Sequence, residues 1–166
     1  MKSQKDIKRK INLIVVHCSA TRCNSTYTVQ QLYHDHVEVN HWRYIGYHYY
    51  IRKDGRVEET RPLERMGAHA KGYNAHSVGI CYEGGLDEHG CPADTRTPEQ
   101  VAAMARLIVQ LHQQIPDIDQ IIGHRDLPGV QKACPCFDAS SLQWLLKLDG
   151  IGELEAALSE NGKEAA

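Results

Sequence analysis

Ile11-Asn12-Leu13-Ile14-Val15-Val16-His17-Cys18 is the stretch on which the fold turns. Residues 11–16 form a short, largely apolar run rich in β-branched side chains. A strand that is apolar on both alternating faces has to be covered on both sides, which is how strands sit inside α/β sheets. The run ends directly on a histidine. In open α/β sheets, sites gather at the carboxyl ends of strands. Residues 118–123 repeat the arrangement, a short strand that ends on His124. Two strands that each deliver a histidine to one rim make a stronger signal than either alone.

Outward from these strands, the other elements follow from local chemistry. Residues 28–39 predict a helix capped by Thr28, and residues 46–52, rich in Tyr and Ile, predict a strand. Lys53-Asp54-Gly55-Arg56 is a hairpin turn signal with a returning strand at 57–60. Residues 77–82 predict another short strand. Thr97-Pro98-Glu99-Gln100 is the clearest helix start: Thr97 caps, Pro98 fits the first helical position, and Gln100 completes a capping box. That helix runs to about Gln114 and ends near Pro116. Asp138 caps a last helix with Leu142, Leu145 and Leu146 at helical spacing. Beyond Gly150 the chain is polar and is expected to fray or to form a loosely attached helix. The order of elements predicts an α/β fold, a single domain with a central mixed β-sheet flanked by helices. Its expected limits are residues 11–150, between a polar segment 1–10 and a polar tail 151–166.

Composition sets limits on function. With 166 residues, 42% of them hydrophobic, the chain can bury one real core. A net charge of -2 provides no broad basic footprint for nucleic acid. No apolar run approaches the roughly 20 residues that span a bilayer, so no membrane insertion is expected. The basic start followed by an apolar run imitates a signal peptide. The run is too short for that role and leads straight into His17, so the protein is expected to be cytoplasmic as synthesised. Six cysteines are too few for a disulfide scaffold in a chain of this length. Cys18 and Cys81 lie in apolar runs and read as inert core residues.

The third group to join His17 and His124 is sought in Lys132-Ala133-Cys134-Pro135-Cys136. If this stretch is extended, Lys132 and Cys134 share a face. Two imidazoles and one thiolate leave a fourth position free for water, the pattern of a catalytic zinc site and not a structural one. Such a zinc ion polarises a carbonyl and acidifies water, and a neighbouring lysine can stabilise an oxyanion. On spacing alone, the same residues also read as a surface lysine beside a buried cysteine.

Seven stretches resemble one family when taken together and in order. They are Val16-His17-Cys18-Ser19-Ala20-Thr21, Gly46-Tyr47-His48, Lys53-Asp54-Gly55, His69-Ala70-Lys71-Gly72-Tyr73-Asn74, Ser77-Val78-Gly79-Ile80, Thr97-Pro98 and Lys132-Ala133-Cys134-Pro135. The chain resembles the zinc-dependent N-acetylmuramoyl-L-alanine amidases of the phage T7 lysozyme type, which are related to the peptidoglycan recognition proteins. The resemblance covers about residues 11–148. It implies one catalytic zinc held by His17, His124 and Cys134 in an open groove, with Tyr47 and Lys132 catalytic and His69 lining the substrate cleft. It further implies hydrolysis of the amide between N-acetylmuramic acid and L-alanine in peptidoglycan. The enzyme is expected to be a monomer, and two settings stay open: release to the cell wall by a phage-type lysis system, or work as a host autolysin or recycling enzyme. Glu83 is a rival acid or base, since carboxylates serve many zinc hydrolases. His34, His36 and His41 are expected to be exposed, and His48 to be either a core residue or a brace for the site. Trp42 and Tyr44 read either as a wall for sugar or as core packing.

Overall fold

The computed structural model describes residues 6–164; residues 1–5, which belong to the expected polar segment, and 165–166 lie outside that range. Five strands form a mixed sheet in the order β4-β3-β5-β1-β7. They are β1 (Leu13–Cys18), β3 (Tyr49–Ile51), β4 (Val57–Glu59), β5 (Ser77–Tyr82) and β7 (Gln120–Gly123). Only the β3–β4 hairpin is antiparallel; the other pairings are parallel. A small parallel pair, β2 (Thr21–Arg22) with β6 (Gly85–Leu86), was not legible in the sequence.

Strand β1 is buried along its whole length. Ile14, Val16 and Cys18 face the main core with Val78, Ile80 and Tyr82 of β5 and with Met104, Ile108 and Leu111 of helix α2 (Pro98–Gln114). Leu13 and Val15 face the other way, towards Ala70 and Leu127. On that second side Leu32 of helix α1 (Val29–Tyr33) packs with Ile45, Tyr50 and Cys81. Helices therefore cover both faces, as a doubly apolar strand requires. Each fully buried branched side chain contributes roughly 1.5–3 kcal/mol.

Helix α2 starts and stops where its chemistry indicates. Thr97 and Gln100 form the reciprocal capping box, with Pro98 in the first turn. Elsewhere tertiary contacts shortened or redirected the expected elements. The helix expected over 28–39 stays α-helical only to Tyr33 and then widens into a π-turn, His34–Val39. Strand pairing in 46–52 is limited to β3, and Gly46 before it is pressed against Ala68, where a Cβ would lie 2.4 Å from the carbonyl oxygen. The Asp138-capped helix is a 3-10 helix, Ala139–Lys147.

The first and last described segments are tied down more firmly than their polarity suggests. Ile7 is buried in the main core. Arg9 reaches across three segments, donating from Nε to the Leu63 carbonyl at 2.7 Å and from Nη1 to the Ser77 carbonyl at 2.9 Å. Burial, and then nearby Arg61, lower its pKa to about 10, so it stays charged at neutral pH. At the other end, residues 151–164 form helix α3 (Ile151–Glu164), and Leu154 is fully buried in the main core. Leu154→Ala should therefore cost about 2–5 kcal/mol of unfolding free energy by urea titration. A loss below about 0.5 kcal/mol, the usual range for surface substitutions, would mean that α3 is not docked.

Candidate active site

Three donors meet where two parallel strands end. The register pairs Val16 with Gly123, so the next residues, His17 and His124, emerge side by side. Their rings lie 4.6 Å apart, centroid to centroid. Cys134 arrives on the loop after β7. Its carbonyl accepts the Arg125 N–H at 2.8 Å. Gly123 lets that loop close in, because a Cβ there would stand 2.6 Å from the Pro135 ring. Ligating atoms of His17, His124 and Cys134 all lie within 4.8 Å of one another. The Cys18 N–H donates to Cys134 Sγ at 3.3 Å, which fixes where that sulfur points.

Cys136 does not share this site. The chain turns at Cys134 and Pro135, closed by a hydrogen bond from the Cys136 N–H to the Ala133 carbonyl at 2.7 Å, and Cys136 takes a left-handed φ of 68°. An extended segment could have aimed both thiols the same way, but the turn directs Cys136 towards Cys18, with the sulfurs 3.9 Å apart. Burial, followed by the proximity of Cys18, pushes the Cys136 thiol up to about 12, so it stays protonated.

The electrostatics suit a cation. Burial, followed by neighbouring His69, His124 and Lys132, holds the His17 pKa well below its usual value. Burial and Lys132 also lower that of His124. Both imidazoles are therefore neutral at pH 7 and keep a lone pair for a metal. Tyr47 stands 5.0 Å from the His17 ring, and burial raises its pKa well above the ordinary value. It is a phenol, a donor and not a base. Lys132 is exposed and lines the same recess, of about 270 Å³, together with His17, Tyr47, His69, His124 and Cys134. A larger cavity of about 400 Å³, beside Ile7, Tyr49 and Leu63, has no histidine or cysteine in its lining, so volume alone does not mark the site.

Other expected residues fall differently. Glu83 does not line the recess. Burial would raise its pKa, but N–H donors from Tyr27, Lys53 and the Arg52 side chain outweigh that and hold it below the usual range. Its carboxylate is a clamp between three segments. His48 is fully buried and accepts the Gly79 N–H on Nδ1 at 3.0 Å. Tyr44 sits among the guanidinium groups of Arg43, Arg61 and Arg65, 5.3–5.8 Å from its ring centre. Trp42 lines the recess.

His36 was missed. It is not a free surface group: Nδ1 accepts the Gly46 N–H at 3.0 Å, and its ring lies between those of Trp42 and Tyr47 at the edge of the recess. The π-turn breaks the 3.6-residue spacing, so helical periodicity gave no signal for it.

The N-acetylmuramoyl-L-alanine amidase family matches residues 7–137. The endolysin of Klebsiella phage KP32 is 40% identical over 131 residues, which cover 79% of this chain and 84% of that protein. The endolysin of Escherichia phage T7 is 37% identical with the same coverage. Among solved structures, the N-acetylmuramoyl-L-alanine amidase LysC from Clostridium intestinale aligns with a TM-score of 0.69 and 31% identity, covering 86% of this chain and 87% of that one. The structure of Apis mellifera PGRP-SA aligns with a TM-score of 0.65 at 21% identity over 81% of this chain and 82% of that chain, a likeness of fold alone. A family match across most of the chain and the phage relatives together lead to one assignment: the chain belongs to the N-acetylmuramoyl-L-alanine amidase family, hydrolases of the amide between N-acetylmuramic acid and L-alanine in peptidoglycan.

Proposed function

We propose that this amidase works with a single zinc ion held by His17, His124 and Cys134 in an open groove, and that Lys132 and Tyr47 act on the substrate amide. The observation that carries this is the donor set itself: two neutral imidazoles and one cysteine sulfur within 4.8 Å of one another. Nitrogen and sulfur donors of this kind suit zinc, while magnesium and calcium take oxygen. Among the described residues the group has three members and no fourth, which favours a site that keeps one position for substrate or water. Zinc bound there supplies Lewis acidity to a carbonyl and to water.

The protein's own groups do the rest. Buried His17 and half-buried His124 stay neutral through desolvation and the nearby lysine, and the Cys18 N–H holds the Cys134 sulfur in place. With the scissile carbonyl in the recess, the Lys132 ammonium stabilises the oxyanion that forms as water adds. Tyr47 donates a hydrogen bond at the reacting water or at the departing nitrogen, as a protonated phenol can. Water adds OH to the lactyl carbonyl and hydrogen to the nitrogen. The products are a carboxylate on the sugar and a peptide with a free L-alanine amino group. The enzyme acts as a monomer on peptidoglycan, with no nucleic-acid partner and no membrane insertion; among the described residues no helix is long and apolar enough to cross a membrane. Its phage relatives carry the name endolysin, which supports delivery to the cell wall by a lysis system.

Three outcomes are expected. Digestion of purified peptidoglycan should release new L-alanine amino termini without new reducing sugars; the opposite pattern would assign the protein to glycosidases. Lys132→Ala should keep its zinc in elemental analysis and lose on the order of a hundredfold or more in rate, and near-normal turnover would remove Lys132 from the mechanism. Cys134→Ser should lose both zinc and activity after dialysis, whereas Cys136→Ser should keep zinc and most activity. Zinc retained by the first variant and lost by the second would exchange their roles.

A further inference from the structure

His69 borders the recess, yet both of its ring nitrogens are already engaged by the protein. Nδ1 lies 2.8 Å from His17 Nε2, and Nε2 lies 3.2 Å from Ser77 Oγ. This leaves His69 without a ring nitrogen to offer a substrate. We propose that His69 is a positioning residue: it takes the Nε2 proton of His17 in a hydrogen bond and so fixes the tautomer that aims His17 Nδ1 at the metal. This rests on the zinc reading above.

The direction of the chain follows from counting protons. A neutral imidazole has one N–H and one lone pair. His17 Nε2 faces His69, so Nδ1 is the nitrogen left to join His124 and Cys134. A lone pair on Nδ1 requires the proton on Nε2, which then donates to His69 Nδ1. The proton of His69 is thereby on Nε2 and donates to Ser77 Oγ. The opposite polarity would put a proton on His17 Nδ1 and block coordination. Metal-bound histidines commonly have their second nitrogen held by an acceptor in this way. Ser77 is fully buried at the start of β5, whose register with β1 is fixed by parallel pairing from Leu13 to Cys18. The far end of the chain is thus anchored to the strand beside the one that carries His17.

The seat of His69 is the second, independent observation. A Cβ on Gly79 would lie 2.7 Å from the His69 ring, and one on Gly67 would lie 2.5 Å from it. Neither glycine has the left-handed φ that usually calls for one. Their lack of a side chain is therefore used for space, and the space is filled by this imidazole. His48 in turn holds the Gly79 N–H. A ring packed this closely from two sides keeps its orientation, as a group that orients a ligand must.

The test uses the full chain loaded with zinc. In the wild type, nitrogen-15 NMR of the histidine rings should show His17 protonated on Nε2. His69→Leu, which has no acceptor, should weaken zinc about 10–100-fold in a chelator competition. His69→Gln, whose amide oxygen can accept the same proton, should recover most of that loss. KM for a muropeptide should stay within about twofold of wild type in both variants, since His69 holds no substrate. Thermal melts of the metal-free variants separate this effect from misfolding, and the wild-type NMR result needs no variant at all. Zinc-loaded wild type with the His17 proton on Nδ1 would overturn the proposal, as would unchanged zinc affinity in His69→Leu or a raised KM at constant zinc affinity. A wild type that takes up no zinc would overturn the metal reading itself and this role with it.

Discussion

Strand β1 is hydrogen-bonded along both edges by parallel neighbours, and every side chain on it is buried. Parallel pairing makes the three strands end on the same rim. Because side chains alternate, β1 sends Ile14, Val16 and Cys18 into the main core and turns His17 to the opposite face. A shift of one residue in register would exchange these faces and put an imidazole among Met104 and Ile108. The apolar packing on α2 thus holds His17 in place without touching its chemistry. His124 depends on the same constraint, since β7 is registered against β1 and not against a more distant strand.

Close approach is the second theme of the structure. Cys134 can reach the strand ends because Gly123 leaves room for Pro135, and His69 can stand behind His17 because Gly67 and Gly79 leave room for its ring. Around the site, glycine serves less for backbone freedom than for the absence of a Cβ. The hydrogen bonds then give direction: Arg125 N–H to the Cys134 carbonyl, Cys18 N–H to the Cys134 sulfur, and Tyr82 hydroxyl to the Pro135 carbonyl at 2.6 Å. The loop is held from the ends of β1 and β5 and from the turn that follows β7.

Burial also sorts the titratable groups. It keeps the imidazoles neutral and Tyr47 a phenol, and it keeps Cys136 a thiol, because each charged form would lose its hydration. Glu83 is the exception that shows the rule. It stays ionised only because three N–H donors surround it, and that same satisfaction removes it from the recess. Charge near the donors is left to Lys132, which solvent can reach.

Much of this was legible in the sequence, and for local reasons. Burial of β1 and β5 is written in short apolar runs, and the start of α2 in Thr97, Pro98 and Gln100, because a cap and a strand's alternation involve residues a few positions apart. The donor types were legible too, since His17 and His124 end strands. The polar ends misled, because what holds them is a few residues, among them Ile7, Arg9 and Leu154, whose partners are distant. His36 was hidden by a π-turn that no periodicity announces. The choice of Cys134 over Cys136 by geometry, and the pairing of His69 with both His17 and Ser77, needed the tertiary structure. Those contacts join residues 52 to 116 positions apart in the cases of His17 with His69 and Cys18 with Cys134. Neighbouring side chains determine which segments become strands and helices and which residue types end them. Only the register between strands and the space left by glycines decide which of those ends meet.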